Sequence, residues 1–246
     1  MPSMSMALNT GQALDGTRAR GIDVYHGHPV VSWSALESAP EEISFLGVKT
    51  SDGMSFTDPK LLWHREGFRS STMEMAVYYH FAEPGDARAQ ARRYRDLLGD
   101  LDPRERLALD WERSPALAAG NMNKDFVDAF YDELMSGLCT DRRHFIYSSK
   151  NQWDRLCGGV AWDLAADIDL WAPRYSTGAD LEPIMPAPWA DRGWNIWQFS
   201  DGKIPPHQVG GVGVCDGNVW NGNRESLRAY VASSGAPPAP PPPLVA

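Results

Sequence analysis

Short apolar runs recur along the chain at intervals that suit one broad architecture. They are GIDVY (21–25), ISFLGVKT (43–50), MEMAVYYHF (73–81), RLALDWE (106–112), HFIYSS (144–149), DIDLWAPRY (167–175), WNIWQFS (194–200) and VGVCDGNVW (212–220). The second is continuously apolar, as expected of a strand buried on both faces. Helical patterning fills most of the gaps. Residues 86–100 form one helix that stops near Gly99, and residues 225–233 form another. Between residues 123 and 138, Phe126, Phe130, Leu134 and Leu138 repeat every four residues, flanked by Val127, Tyr131 and Met135. Eight strands alternating with helices predict an α/β fold, a modified (β/α)8-type barrel in a single domain spanning 21–233. The last two strands have no helix between them, which leaves open a hairpin there. Residues 1–20 read as an N-terminal extension. Residues 234–246 read as a proline-rich tail favouring polyproline II.

Such barrels carry their sites at the C-terminal ends of the strands. The run RLALDWER (106–113) ends there in two acids separated by one residue. Side chains alternate along a strand, so Asp110 and Glu112 share a face and Trp111 takes the other. Neighbouring carboxylates resist joint ionisation. That is useful where one acid donates a proton beside a second that stays charged. Alone, the pair could equally be two solvated acids at a surface end. Convergence decides between these. Asp23 ends the first strand and Asp216 lies in the last, and in a closed barrel those strands are neighbours. Lys49, His80, Tyr147, Trp171, Tyr175, Trp197 and Gln198 sit at further strand ends. Acids ringed by aromatics suit a sugar-cleaving site, although Trp171 and Trp197 could each be core residues.

Other classes fit less well. The net charge of −9 disfavours nucleic acid and anionic membrane surfaces. No apolar stretch is long enough for membrane insertion, and no secretory signal is expected in the first 20 residues. Ten Trp lean towards a heavy core or a ring-stacking surface. Cys139, Cys157 and Cys215 form no CxxC and are expected to be buried as small apolar residues. His26 and His28 form a His-x-His after the first strand, which raises a metal-dependent amidohydrolase. The remaining histidines do not complete a ligand set. His144 starts its strand at the wrong end, His64 falls in a helix and His207 in a loop, leaving only His80 well placed. No metal or organic cofactor is expected.

Taken in order, GIDVYHG, VSW (31–33), GVKTSDG, YYHF, LALDWE, FIYSS, LWAPRY, WNIWQFS and CDGNVWNG resemble the family 25 glycoside hydrolases, from about residue 21 to 222. The resemblance implies a muramidase (lysozyme) cutting the β-1,4 bond between N-acetylmuramic acid and N-acetylglucosamine in peptidoglycan. It implies Asp23, Asp110, Glu112 and Asp216 as the catalytic acids, with Glu112 as general acid beside Asp110. Tyr79, Tyr147, Tyr175 and Trp197 would line the groove. Two second steps stay open: attack by the substrate's own 2-acetamido group, oriented by Asp110 or Asp216, or inversion with an Asp activating water. Two motifs depart from the family pattern. The usual Asp-Val-Ser is Asp23-Val24-Tyr25-His26, and Lys49-Thr50-Ser51-Asp52-Gly53 replaces Lys-Ala-Thr/Ser-Glu-Gly. The acids survive while the rim changes. The expected protein is a monomer, made in the cytoplasm and reaching the cell wall through a holin-type pore or other export. The competing reading is a non-catalytic glycan-binding module on the same barrel.

Overall fold

The strands are buried at nearly every position, and successive residues alternate between two core layers, one inside the sheet and one outside it. The computed structural model describes residues 17–112, 120–137, 142–175 and 182–233. Its strands are β1 (Arg20–Val24), β2 (Ile43–Asp52), β3 (Phe56–Thr57), β4 (Met75–Phe81), β5 (Glu105–Asp110), β6 (His144–Tyr147), β7 (Ile168–Pro173), β8 (Ile196–Ser200), β9 (Gln208–Val209), β10 (Gly213–Val214) and β11 (Asp216–Trp220). Its helices are α1 (Trp33–Glu37), α2 (Leu61–Ser70), α3 (Ala87–Leu98), α4 (Lys124–Gly137), α5 (Lys150–Cys157) and α6 (Arg224–Ala232). Phe45, Met75, Val77, Ala108, Phe145, Trp171 and Ile196 fill the inside of the sheet. Leu46, Tyr78, Leu107, Leu109, Ile146, Leu170 and Trp197 face outward and meet the helices.

The sheet closes. From β2 round to β8 every neighbouring pair of barrel strands is parallel, and β1 pairs parallel with β2. The exception is β11, antiparallel to both β8 and β1. The hairpin left open between the last two barrel strands is therefore present as an antiparallel pair. The run 212–220 is not one strand. It divides at Cys215 into β10, which belongs to a separate hairpin with β9, and β11. Because β11 runs backwards, its first residue lies at the mouth, and Asp23 stands opposite Asp216 in register.

Helix starts are set by side-chain caps. Asp86, Ser149 and Asn223 each accept a hydrogen bond from the backbone N–H three residues on. Two glycines decide how the interior fills. A Cβ on Gly21 would lie 2.4 Å from the Phe45 ring, and one on Gly47 would lie 2.6 Å from the Trp171 ring. Across the floor of the barrel lies α6. Glu74 holds Arg224 at 2.8 Å and Arg228 at 2.9 Å. Tyr230 donates to Asp169, which also pairs with Arg143 and Arg192. A second buried acid, Glu105, is neutralised by Arg65 and Arg69. Cys157 and Cys215 are buried free thiols, while Cys139, Leu138, residues 1–16 of the N-terminal extension and the tail from residue 234 fall outside the described residues; the extension is shorter than expected, because Arg20 already belongs to β1. Among the described residues no helix is long and apolar enough to cross a membrane.

Candidate active site

The mouth end of the barrel holds a cavity of about 450 Å³, counted out to its opening and lined by Asp23, Tyr79, Asp110, Glu112, Tyr147, Trp171, Tyr175, Gln198 and Asp216. Period-two alternation explains this set. On β5, Asp110 faces in. The chain continues extended, so Trp111 goes out to pack on Phe126 with centroids 5.3 Å apart, and Glu112 returns to the cavity.

Two carboxylate groups divide the site. Asp23 and Asp216 meet across the β1–β11 register and share Gln198. The Gln198 amide donates to Asp23 Oδ2 at 2.9 Å and to Asp216 Oδ2 at 3.1 Å. Its carbonyl accepts from the Tyr147 and Tyr175 hydroxyls, each at 2.7 Å. A charged carboxylate cannot donate, so with Asp23 ionised this amide orientation is the one that satisfies all four contacts. Asn218 donates to Asp23 Oδ2 at 2.7 Å and accepts from Trp171 Nε1 at 2.8 Å. Burial, and then the charge of Asp23, push Asp216 up to about 9. Burial also raises Asp23, against the hydrogen bonds from Asn218 and Gln198. Asp23 accepts from both Asn218 and Gln198, and these hydrogen bonds favour its charged form over that of Asp216.

Asp110 and Glu112 form the second group. Burial lifts Asp110 well above the ordinary carboxylate range, and the charge of Glu112 adds to it. Asp110 Oδ1 is buried and meets no hydrogen-bond partner among the described residues. Burial raises Glu112 too, opposed by the positive charge of Lys49. Lys49 itself stands at the rim, outside the cavity lining. Its ammonium meets Asp52 at 2.8 Å and lies 5.5 Å from the centre of the Phe81 ring.

Two residues expected in the site lie elsewhere, for the same reason. His80 follows Tyr79 on β4, so it faces the helices. Its Nδ1 meets Ser51 Oγ at 2.9 Å and its Nε2 meets Gln90 Oε1 at 3.1 Å, and its ring stacks on Tyr94 and Phe130. Trp197 precedes Gln198 on β8 and also faces outward, donating to the Arg174 carbonyl at 3.0 Å. Adjacent strand residues cannot both face the mouth. Conversely, Asn218 went unrecognised, although two residues on from Asp216 on β11 is again the inward face. Of the ten Trp, only Trp171 lines the cavity, so the heavy-core reading accounts for most of them.

A parallel-type barrel whose mouth gathers four buried acids with raised pKa values is the machinery of a glycoside hydrolase. Comparison with known proteins gives the particular family. Residues 22–207 match the glycosyl hydrolases family 25, and the chain belongs to that family. It is similar to lysozyme M1 of Streptomyces globisporus, 26% identical over 228 residues, covering 87% of this chain and 72% of that protein. In structure it is similar to a lysozyme of Streptomyces coelicolor, with a TM-score of 0.73 at 24% identity, covering 88% of this chain and 98% of that one. A family 25 lysozyme of Aspergillus fumigatus gives a TM-score of 0.73 at 23% identity, covering 89% of this chain and 100% of that one.

Proposed function

We propose that this chain is a muramidase that hydrolyses the β-1,4 bond between N-acetylmuramic acid and N-acetylglucosamine in peptidoglycan. Family membership and the lysozyme relatives support the substrate class. The observation that carries the chemistry is the convergence of Asp110 and Glu112 on one cavity with Asp23 and Asp216. In this reading Glu112 gives its proton to the leaving oxygen. Burial already raises its pKa, and closing sugar over it removes further water and keeps it protonated.

The second step favours substrate assistance. A carboxylate nucleophile or base must be charged before it acts. Asp110 and Asp216 are both held towards the neutral form, and Asp23 is tied to Gln198 and Asn218. The 2-acetamido oxygen then closes on the anomeric carbon as the glycosidic bond breaks. The oxazolinium that forms donates its N–H to the carbonyl oxygen of the acid nearest the acetamido nitrogen, Asp216 or Asp110. Water opens the ring and the anomeric configuration is retained. Tyr79, Tyr147, Trp171, Tyr175 and Gln198 hold the sugar. The protein would reach the wall by a holin-type pore or other export and act there as a monomer.

The test is release of reducing ends from purified peptidoglycan. Wild type should liberate muramic acid at the new reducing terminus, and Glu112→Gln should lose about 10²–10⁴-fold in kcat. Proton NMR of the first product should show the β-anomer. An α-anomer would remove substrate assistance, and binding without release would leave only a glycan-binding module.

A further inference from the structure

We propose that the turn after β1 and the short strand β3 form a second saccharide-binding subsite, an aromatic shelf beside the acidic cavity that takes one further N-acetylated sugar ring of the glycan. This rests on the glycosidase reading of the cavity and extends it along the strand of substrate.

The shelf is built from the His-x-His stretch that the catalytic cavity leaves unused. Tyr25, His26, Gly27 and His28 make a tight turn closed by His28 N donating to the Tyr25 carbonyl at 3.1 Å. The Tyr25 ring lies between the two imidazoles, with centroids 5.2 Å from His26 and 5.1 Å from His28. It folds against Gly27, where a Cβ would come within 2.5 Å of the ring. Phe56 of β3 extends the surface, 5.4 Å from His26. Lys49 lies 5.9 Å from the centre of the Phe56 ring.

His26 is held for recognition. Asp58 Oδ2 accepts its backbone N–H at 2.9 Å and faces its Nδ1 at 2.9 Å. Asp58 Oδ1 accepts from the Lys60 backbone N–H at 2.8 Å. The Asp58 side chain is fully buried, whereas that of His26 is 44% exposed. A carboxylate only accepts, so a hydrogen sits on Nδ1, and in the neutral ring Nε2 is left as an acceptor. A ring fixed at one edge and open at the other, set among aromatic faces, is what a sugar requires. Apolar C–H faces stack on the rings, and a hydroxyl or acetamido N–H donates to Nε2.

The position fits an adjoining sugar. Asp23 pairs with Gly47 in register, and Tyr25 and Lys49 each follow two residues further towards the mouth. At about 3.3 Å per residue the shelf begins roughly 7 Å from the Asp23 position. His28 stands within electrostatic reach of Asp23, which joins shelf to cavity. Tyr175, 41% exposed, stands in the loop after β7, across the mouth from β1. A polymer crossing the acids thus meets aromatic surface on both sides.

The probes are the dimer and the tetramer of N-acetylglucosamine, titrated calorimetrically into full-length Glu112→Gln protein. The tetramer should bind about tenfold tighter than the dimer, the worth of one hydrogen bond and one stacked ring. His26→Ala should abolish that advantage and leave dimer binding unchanged. Phe56→Ala should do likewise without disturbing the Asp58 contacts, and it reports alone if His26→Ala lowers Tm markedly. Equal affinity for the two lengths, binding of neither, or equal weakening of both by the substitutions would overturn the shelf. The activity is judged apart from this, by reducing ends that wild type releases from peptidoglycan. Release without length dependence sinks the shelf alone, and length dependence without release sinks the muramidase alone.

Discussion

Asp216 sits where folding and chemistry pull in opposite directions. Its carboxyl is raised from an ordinary 3.8 to about 9 by burial and by Asp23. The folded chain therefore holds this proton more tightly than the unfolded chain does. The stability it contributes is complete below about pH 4 and is lost progressively as pH climbs towards 9. Asp216→Asn keeps a donor to Asp23 and removes the titration. It should be more stable than wild type at pH 8, by about 1 kcal/mol or about 2–4 °C in Tm, with the gain shrinking towards pH 5. Thermal unfolding of both proteins across that range checks it, and a constant difference would show that the carboxyl carries no such burden. The same variant should lose activity. At this scale the acids were legible because they fall at strand ends that a closed barrel brings to one mouth. Their neighbours were legible only as far as alternation was respected. Tyr79 and Gln198 lie in the cavity, while His80 and Trp197, one residue away from them, face the helices.

The strands themselves were readable from their apolar runs, whose expected limits differ from the observed ones by a few residues. Their directions were not. Nothing local in CDGNVWNG says that β11 runs against its neighbours; that follows from the short hairpin-bearing connection after β8, which has no room for a returning helix. Elements pack tightly beside the site at Gly47 on β2. A methyl group there would lie 2.5 Å from Asp23 Cβ and 2.6 Å from the Trp171 ring, and both residues line the cavity. Gly47→Ala should cost about 1–3 kcal/mol through overpacking. It should also lower kcat by shifting Asp23 and the ring opposite. Parallel measurement of Tm and turnover tests this. A variant that loses stability but keeps full kcat would mean that the strand moves without carrying the site along.

At the scale of the molecule, charge is the property that acts at a distance. A net charge of −9 opposes approach to a wall rich in anionic polymers. Raising ionic strength from about 0.01 M to about 0.1 M shortens the screening length from about 30 Å to about 10 Å. The rate on intact walls should rise over that interval. A steady fall would show that local attraction outweighs the overall field. The barrel as a whole was legible because strand and helix patterning alternate nearly to the end. What stayed hidden was the reversed direction of β11, because the connection from β8 carries a short hairpin and not a helix. The barrel's closure has a practical result. β1 leaves the floor of the barrel and β11 returns to it, so Ala19 donates to the Gly222 carbonyl at 2.9 Å and α6 lies across the same floor. Both ends of the barrel therefore emerge on the face turned away from the cavity. A tether or surface linkage attached at either end would present the catalytic opening outward.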